Sequence, residues 1–234
     1  MKISVISTYA TDLLIDVKTK KTLREQRGGP VLYLESALES LGIKPKVFTG
    51  EELLVEILVQ EHDEFGSIHQ QPHPLPLPLL ETGTAIVSTI LNEWDLRNAN
   101  NYSGKLFVDI QGYVRDGSDF GKKKSWEGIE TIAPYLFCIK GNVVEIGMLP
   151  DEVVAEQKRK RMLIITKDKE GVEIYYKGER KECKPSNVIH PPNTIGAGDT
   201  FFANFVYKFM TGNTVENAGN FALDKTSEFL SRIQ

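Results

Sequence analysis

One short segment near the C-terminus combines an anion-binding turn with a carboxylate. Gly196, Ala197 and Gly198 are small residues at the start of a strongly amphipathic helical pattern. Their backbone N–H groups are therefore uncrowded and lie at the positive end of the helix dipole, where anions bind. Asp199 follows directly, although its charge would repel a bound phosphate. A carboxylate here is explained if it accepts the proton of an acceptor hydroxyl, so we predict phosphoryl transfer at this segment.

Other interpretations of the segment stay open. Asp199 can instead cap the helix or interact favourably with its N-terminus. Gly196 and Gly198 also begin a dinucleotide-binding fingerprint, but the position of its third glycine is Phe201, and only 33 of the 234 residues follow it. Those residues show no clear strand to complete a βαβ unit, so this interpretation is weak. A Walker-A sequence occurs nowhere in the chain, which excludes a P-loop NTPase.

A second group of polar residues follows an apolar run at 106–108. Asp109, Gln111 and Arg115 come after this predicted strand, and open α/β sheets bind ligands at the carboxyl ends of their strands. Arg115 is suited to bind a phosphate or an acidic substrate group. Pairing with a surface carboxylate is its alternative role.

The elements that must position these residues alternate along the chain. Short runs are apolar on successive residues, as in parallel strands that are buried on both faces. The predicted strands are residues 3–6, 85–87, 106–108, 136–139 and 163–165. Pro30 opens one helix that stops at Gly42, and another helix follows Gly198 and ends at Gly212. The pattern predicts an α/β fold, with a mainly parallel sheet flanked by helices.

Composition limits the classes of protein and partner. The chain is 41% hydrophobic and 26% charged, which excludes collagen-like and disordered proteins. Its apolar runs fall short of the ~18 residues that a membrane helix needs, and its net charge of −4 provides no basic field for nucleic acid or lipid. Only two cysteines, Cys138 and Cys183, and no cleavable apolar leader are present. We expect a cytoplasmic protein that binds a small molecule and binds neither nucleic acid nor a membrane.

The sequence resembles a known family at several places. Residues 193–201 read N-T-I-G-A-G-D-T-F, similar to the C-terminal signature D-T-x-G-A-G-D-x-F of the ribokinase-like, or PfkB, carbohydrate and nucleoside kinases. Gly28 and Gly29, before the helix that ends at Gly42, resemble the N-terminal sugar-site signature of this family. The D-x-Q-x-x-x-R pattern from Asp109 to Arg115 is similar to that of archaeal members and of myo-inositol kinases. The resemblance covers most of the chain and implies a ribokinase-like fold.

The resemblance also implies the residues of an acceptor site and a catalytic centre. Asp199 would be the catalytic base, and the turn from Gly196 through Ala197 to Gly198 would supply the anion hole. The implied substrate-binding residues are Asp12, Gly28, Gly29, Asp109, Gln111 and Arg115. A carboxylate such as Asp12 can accept two hydrogen bonds from sugar hydroxyls, and glycine allows close approach to the backbone. Taken singly, Asp12 can also be a turn residue, and the glycine pair can be a bare loop.

The donor side is implied in the same way, with ATP and Mg²⁺ as cofactors. The implied nucleotide-binding residues are Lys140, Thr166, Gly171 and Thr194. Asn142 and Glu145 resemble an N-x-x-E element that organises magnesium, which prefers oxygen ligands and retains waters. The start of a helix is their alternative role.

The sequence departs from the family pattern at two positions and in its length. Asn193 replaces an acid of the signature, and Asp168 stands where the family has glycine, which costs energy if the position needs a positive φ. The chain is shorter than is usual for the family. We expect the missing residues to belong to the lid strands and to the stretch between residues 50 and 84. Residues 16–27 would then form a minimal lid hairpin. We expect residues 1–234 to form a single domain.

Together these features predict an ATP-dependent kinase. Its acceptor would be a hydroxyl of a sugar, a polyol or a nucleoside, with myo-inositol as the first candidate. A non-catalytic ligand sensor with a kinase-like pocket is the alternative. We expect the protein to be either a monomer or a homodimer.

Overall fold

The computed structural model describes residues 1–60, 63–68, 70–79, 83–191 and 193–233. Its helices are α1 Pro30–Ser40, α2 Ile129–Ile132, α3 Val143–Ile146, α4 Asp151–Lys160, α5 Ala197–Met210 and α6 Val215–Leu230. Its strands are β1 Ile3–Ser7, β2 Ala10–Asp16, β3 Thr22–Gly28, β4 Lys46–Thr49, β5 Leu53–Gln60, β6 Asp63–Ser67, β7 Leu75–Pro76, β8 Thr84–Ser88, β9 Trp94–Asp95, β10 Lys105–Asp109, β11 Cys138–Asn142, β12 Met162–Thr166, β13 Val172–Tyr176 and β14 Glu179–Cys183. Short 3-10 helices lie at Ala99–Asn101, Ala133–Tyr135 and Asp168–Glu170.

The main sheet has eight strands in the order β14-β13-β12-β11-β10-β8-β1-β4. The six strands from β12 to β4 run parallel, and β13 and β14 add an antiparallel edge. The five predicted strands are all present, although the strand expected at 136–139 begins at Cys138. The register places Ser88, Asp109 and Lys140 side by side on three neighbouring strands.

Helices cover both faces of this sheet, which confirms the predicted fold class. Ile86, Phe107 and Cys138 belong to one hydrophobic cluster with residues of α1, α5 and α6. Their chain neighbours Val87 and Val108 belong to a second cluster on the opposite face. Both faces need apolar residues, because side chains of a strand alternate between the faces. This explains why the strands are apolar on successive residues.

A second, four-stranded sheet has the order β3-β2-β5-β6. The antiparallel pair β2 and β3 forms the hairpin expected around residues 16–27. Strand β5 joins β2 in parallel, and β6 pairs with β5. These two strands come from the stretch between residues 50 and 84, where a loss was expected. The second sheet is therefore larger than the minimal lid hairpin that the sequence predicted.

Both cysteines are buried, and neither forms a disulfide. In the part of the chain that the structure describes, no helix has the length and apolar character to cross a bilayer.

Candidate active site

A cavity of about 740 Å³ lies between the carboxyl ends of the parallel strands and the second sheet. The predicted site residues that line it are Asp12, Gly29, Gln111, Arg115, Lys140, Asn142, Glu145, Thr166, Thr194, Gly196, Ala197, Gly198 and Asp199. Three others, Gly28, Asp109 and Gly171, are not among its lining residues. The fold thus brings most of the predicted acceptor, catalytic and donor residues to one cavity.

The start of α5 has the geometry that the sequence predicted. Gly196 is the N-cap with φ of +80°, a left-handed conformation that favours glycine. A Cβ atom at Gly196 would lie 2.3 Å from Cδ1 of Tyr33, so no larger residue fits there. Asp199 lies in the first turn, but no described side chain caps this helix. The carboxylate of Asp199 is therefore available for a role other than capping.

Asp199 faces the cavity beside a hydroxyl that the sequence analysis missed. Its Oδ1 accepts a hydrogen bond of 2.9 Å from Oγ of Ser88 at the end of β8. Burial raises the pKa of Asp199 to about 6, and the nearby charge of Asp109 contributes to this rise. Lys140, the Ser88 hydrogen bond and Arg115 oppose the rise by stabilising the carboxylate. A carboxylate with such a pKa is ionised at pH 7 and is a stronger base than an ordinary aspartate.

Lys140 holds a buried positive charge next to the anion-binding turn. Its Nζ forms an ion pair with Oδ2 of Asp109, and the two side chains are 5% and 2% exposed. Burial alone would lower the pKa of Lys140, but the combined attraction of Asp109, Asp199 and Glu145 raises it above its ordinary value. A Cβ atom at Gly198 would lie 3.0 Å from the same Nζ. A permanent cation therefore lies beside the N-terminus of α5.

Asn142 and Glu145 form the start of a helix, which was their alternative role. Oδ1 of Asn142 accepts the N–H of Glu145 at 2.9 Å, and Oε2 of Glu145 accepts the N–H of Asn142 at 2.8 Å. This is a capping box at the start of α3. Oε1 of Glu145 lies 3.9 Å from Nζ of Lys123.

This arrangement limits how the predicted magnesium ion would be held. The capping box uses the side-chain oxygen of Asn142, so Oε1 of Glu145 is the oxygen that remains for an ion. Among the described residues, no three His, Cys, Asp or Glu side chains cluster as metal ligands. Mg²⁺ commonly binds through one or two carboxylates together with substrate phosphates and water. The residues fit an ion held mainly by donor phosphates, with a contact to Glu145.

The end of the cavity next to the second sheet contains Asp12, which is 3% exposed. A Cβ atom at Gly28 would lie 2.0 Å from Oδ2 of Asp12, so the glycine makes room for this carboxylate. Gly29 is the N-cap of α1 with φ of +87°, and Pro30 occupies the first turn as predicted. A Cβ atom at Gly29 would lie 2.5 Å from the carbonyl oxygen of Thr8. Gly28 is therefore required by its close packing against Asp12, and Gly29 by its close packing against the backbone at Thr8.

Arg115 reaches the same end of the cavity from the loop after β10. Its Nη1 donates to the carbonyl oxygen of Ile90 at 3.1 Å, and its guanidinium carbon lies 4.1 Å from the ring centroid of Phe120. Burial lowers the pKa of Arg115, although four surrounding carboxylates oppose this change. Lys123, which the sequence analysis did not select, pairs with Arg115 in an antiparallel bridge and also lines the cavity.

The predicted donor residues divide into two groups. Thr166 and Thr194 line the cavity together with Asp168, which has φ of +47°. The expected glycine position is thus left-handed, and Asp occupies it. Gly171 is not among the lining residues, and its role is close packing, because a Cβ atom there would lie 2.1 Å from the carbonyl oxygen of Cys183.

Asn193, which replaces an acid of the family signature, has a local structural role. Its Oδ1 accepts the N–H of Ile195 at 3.3 Å. An asparagine side chain that bonds to the backbone two residues on stabilises a turn. Asn193 therefore maintains the turn before α5.

The fold is ribokinase-like, with its cavity at the carboxyl ends of the parallel strands. The model of the pfkB family carbohydrate kinases matches residues 122–225 of the chain. This confirms the resemblance predicted from the sequence. No curated protein is significantly similar to the chain in sequence.

Solved structures of kinases share the fold over almost the whole chain. A pyrophosphate-dependent kinase in the ribokinase family, complexed with a pyrophosphate analog and myo-inositol, is 19% identical with a TM-score of 0.77, covering 99% of this chain and 96% of that one. The nucleoside kinase of Methanocaldococcus jannaschii is 17% identical with a TM-score of 0.71, covering 98% and 91%. A ribokinase from Thermotoga maritima is 16% identical with a TM-score of 0.69, covering 100% and 94%.

Proposed function

We propose that this protein is a kinase that transfers a phosphoryl group to a hydroxyl of a small sugar, polyol or nucleoside. The observation that carries this proposal is the position of Asp199, which faces the cavity between the Ser88 hydroxyl and the N-terminus of α5. A base beside a group of anion-binding amides serves a reaction in which a hydroxyl loses its proton and attacks a phosphate. The PfkB family match supports the same reaction class.

The residues of the chain divide the work of this reaction. Asp12 binds acceptor hydroxyls, and Asp199 accepts the proton of the reacting one. Ser88 holds the Asp199 carboxylate in place. The amides at the start of α5 and the ammonium of Lys140 stabilise the charge on the transferred group. Mg²⁺ would enter with the donor phosphates, supply a further positive charge, and contact Oε1 of Glu145.

We propose ATP as the donor. Beyond the anion-binding turn the cavity continues along apolar side chains, which include Val188, Leu223 and Leu230. A purine base can bury its faces against such a wall, whereas inorganic pyrophosphate has no apolar part. One similar structure is of a pyrophosphate-dependent kinase, so pyrophosphate is the alternative donor.

The acceptor class rests on Asp12 and on the polar residues after β10. Asp12 and Gln111 line the end of the cavity below the second sheet, where they can bind several hydroxyl groups at once. Two of the similar structures are of a kinase complexed with myo-inositol and of a nucleoside kinase. Myo-inositol and related polyols are therefore the first acceptors to test, followed by nucleosides and simple sugars.

A non-catalytic sensor is less well supported, because the features that suggested it have local explanations. Asn193 maintains its turn by a hydrogen bond, and Asp168 adopts the left-handed conformation that aspartate tolerates better than most residues. The second sheet has four strands rather than a single hairpin.

The direct experiment is an acceptor screen with two donors. Purified protein with Mg²⁺ is given ATP or pyrophosphate together with each acceptor, and the phosphorylated product is measured by mass spectrometry. We expect product with ATP and at least one acceptor. Product with pyrophosphate alone would replace the proposed donor, and binding of acceptors without any product would favour the sensor.

A further inference from the structure

A pair of cations on one hairpin lines the cavity in addition to Lys140. Residues 114–124 form this hairpin, in which the N–H of Lys124 donates to the carbonyl oxygen of Val114 at 2.8 Å. Arg115 and Lys123 are bridge partners within it, and both line the cavity. Lys122 precedes Lys123 on the turn side of the hairpin, and its side chain is 72% exposed.

The charge of Arg115 lacks a close counterion among the described residues. None of their carboxylate oxygens lies within 4.0 Å of its guanidinium, which contacts the Ile90 carbonyl and the Phe120 ring instead. Its Nε is buried and donates no hydrogen bond within the described part of the chain. A buried donor without a partner is unfavourable, and more so when it is charged. An anion that enters the cavity lined by Arg115 would stabilise the charge of its guanidinium.

Lys123 is the second cation of this hairpin at the cavity wall. Its side chain is 14% exposed, and its Nζ donates to the carbonyl oxygen of Phe120 at 2.9 Å. Among the described residues, Nζ of Lys123 pairs with Oε1 of Glu145. The distance between these two atoms is 3.9 Å, which is too long for a hydrogen bond. Two cations of one hairpin are thus held at the cavity wall with their charges incompletely paired.

The hairpin is attached to the sheet that covers the acceptor end. The N–H of Phe120 donates to the carbonyl oxygen of Gly66, and the N–H of Ile68 donates to that of Gly117, both at 2.8 Å. Phe120 also packs against the hydrophobic cluster that includes Val55, the register partner of Asp12. These contacts place Arg115 near the proposed acceptor rather than near the apolar wall proposed for the donor.

We propose that Arg115 and Lys123 form a second oxyanion site, which binds a phosphate or carboxylate group carried by the acceptor. This inference rests on the proposed kinase function and narrows its substrate class to acidic or phosphorylated sugars and polyols. The planar guanidinium of Arg115 binds two oxygens of such a group, and Lys123 adds a point charge. Lys140 and the α5 amides remain for the transferred phosphoryl group.

The test compares acceptors in matched pairs: ribose with ribose 5-phosphate, glucose with gluconate, and myo-inositol with a myo-inositol monophosphate. For wild type we expect kcat/KM for the anionic member to exceed that for the neutral one by at least about tenfold, as for a charge-assisted contact. Arg115→Gln should remove most of this preference and Lys123→Gln part of it. Lys122→Gln, a neutralisation on the exposed side of the same hairpin, should leave the preference unchanged. Circular dichroism shows whether each variant is folded, and Arg115→Lys should retain part of the preference.

Calorimetric titration of each pair without donor separates this proposal from the kinase proposal. Arg115-dependent binding of the anionic members without turnover supports the oxyanion site while the kinase function fails. Turnover of neutral acceptors with no anionic preference, in either turnover or binding, overturns the site and leaves the kinase function intact. A rise in the KM of the donor alone in Arg115→Gln also overturns it, because the site then belongs to the donor phosphates.

Discussion

The hydroxyl of Ser88 donates a 2.9 Å hydrogen bond to Oδ1 of Asp199, across 111 residues of sequence. Ser88 ends a parallel strand next to Asp109, so the main sheet fixes its position. The hydrogen bond orients the carboxylate and stabilises its charged form, against the burial that raises its pKa. The carboxyl end of β8 thus positions the proposed base, in addition to lying at the cavity.

Ser88→Ala is expected to slow the reaction and shift its pH dependence. The wild-type rate should rise with pH around the Asp199 pKa of about 6, because only the ionised carboxylate accepts a proton. Loss of the hydrogen bond raises this pKa further, so the rising part of the pH profile moves to higher pH. Turnover near pH 6 should fall by roughly 2- to 10-fold, as expected for one hydrogen bond.

Ser40→Ala is the matched control, because the Ser40 hydroxyl bonds to the backbone of α1 at Ala37. Its profile should match that of wild type. A Ser88→Ala profile without any shift would mean that Ser88 does not act on the proposed base.

Gly28→Ala is expected to impair acceptor binding. The added Cβ would lie 2.0 Å from Oδ2 of Asp12, so the carboxylate must move. Misplacement of a positioning group by about 1 Å can reduce kcat/KM by about 10²-fold, mainly through the KM of the acceptor, as measured by initial-rate kinetics. Gly50→Ala, whose added Cβ would meet its nearest atom at 3.4 Å, is the control. An unchanged acceptor KM in a folded Gly28→Ala variant would exclude Asp12 from the acceptor site.

Lys140→Met is expected to destabilise the fold by about 3–5 kcal/mol, because it leaves Asp109 as a buried charge without its partner. Urea denaturation measures this change. The double variant Asp109→Asn with Lys140→Met removes both charges and should recover much of the lost free energy of unfolding. Equal stability of Lys140→Met and wild type would show that the pair is not buried as described.

Glu173 on β13 predicts a pH dependence of stability away from the cavity. Hydrogen bonds from Arg180 and Lys167 lower its pKa from 4.5 to about 2. A lowered pKa adds stability above pH 4.5, which is lost as the pH falls toward 2. Glu173→Gln should therefore be about 1–2 kcal/mol less stable than wild type at pH 7, as for hydrogen bonds to a charged group that solvent partly screens. The difference should vanish near pH 2.

Thermal unfolding across this pH range is the measurement. Glu179→Gln, an exposed position on the neighbouring strand β14, should behave as wild type. A Glu173→Gln deficit that persists undiminished at pH 2 would contradict the assignment.

The sequence predicted the local structure at the start of α5 well because its signals are local. Gly196, the small residues after it and Asp199 are contiguous, and the amphipathic stripe of α5 follows directly. The buried parallel strands were also predictable, because each needs apolar residues on both faces. The roles of Asn142 and Glu145 are visible as a capping box at the same spacing that the family motif uses.

The remaining elements have weaker or longer-range signals. Strand β14 is almost entirely charged, since it lies at a sheet edge and pairs only with β13. The strands of the second sheet come from two separated stretches, so the sequence indicated only the local hairpin of β2 and β3. Ser88 and Lys123 acquire their roles through partners distant in sequence, which no spacing rule reveals.

Asp199→Asn tests most directly whether Asp199 removes the acceptor proton. With an acceptor from the screen, turnover should fall by roughly 10²–10⁴-fold, while acceptor binding by calorimetry and the circular dichroism spectrum stay close to those of wild type. Asp151→Asn, which neutralises an exposed acid at the start of α4, should retain full turnover. Wild-type turnover by Asp199→Asn would contradict the account.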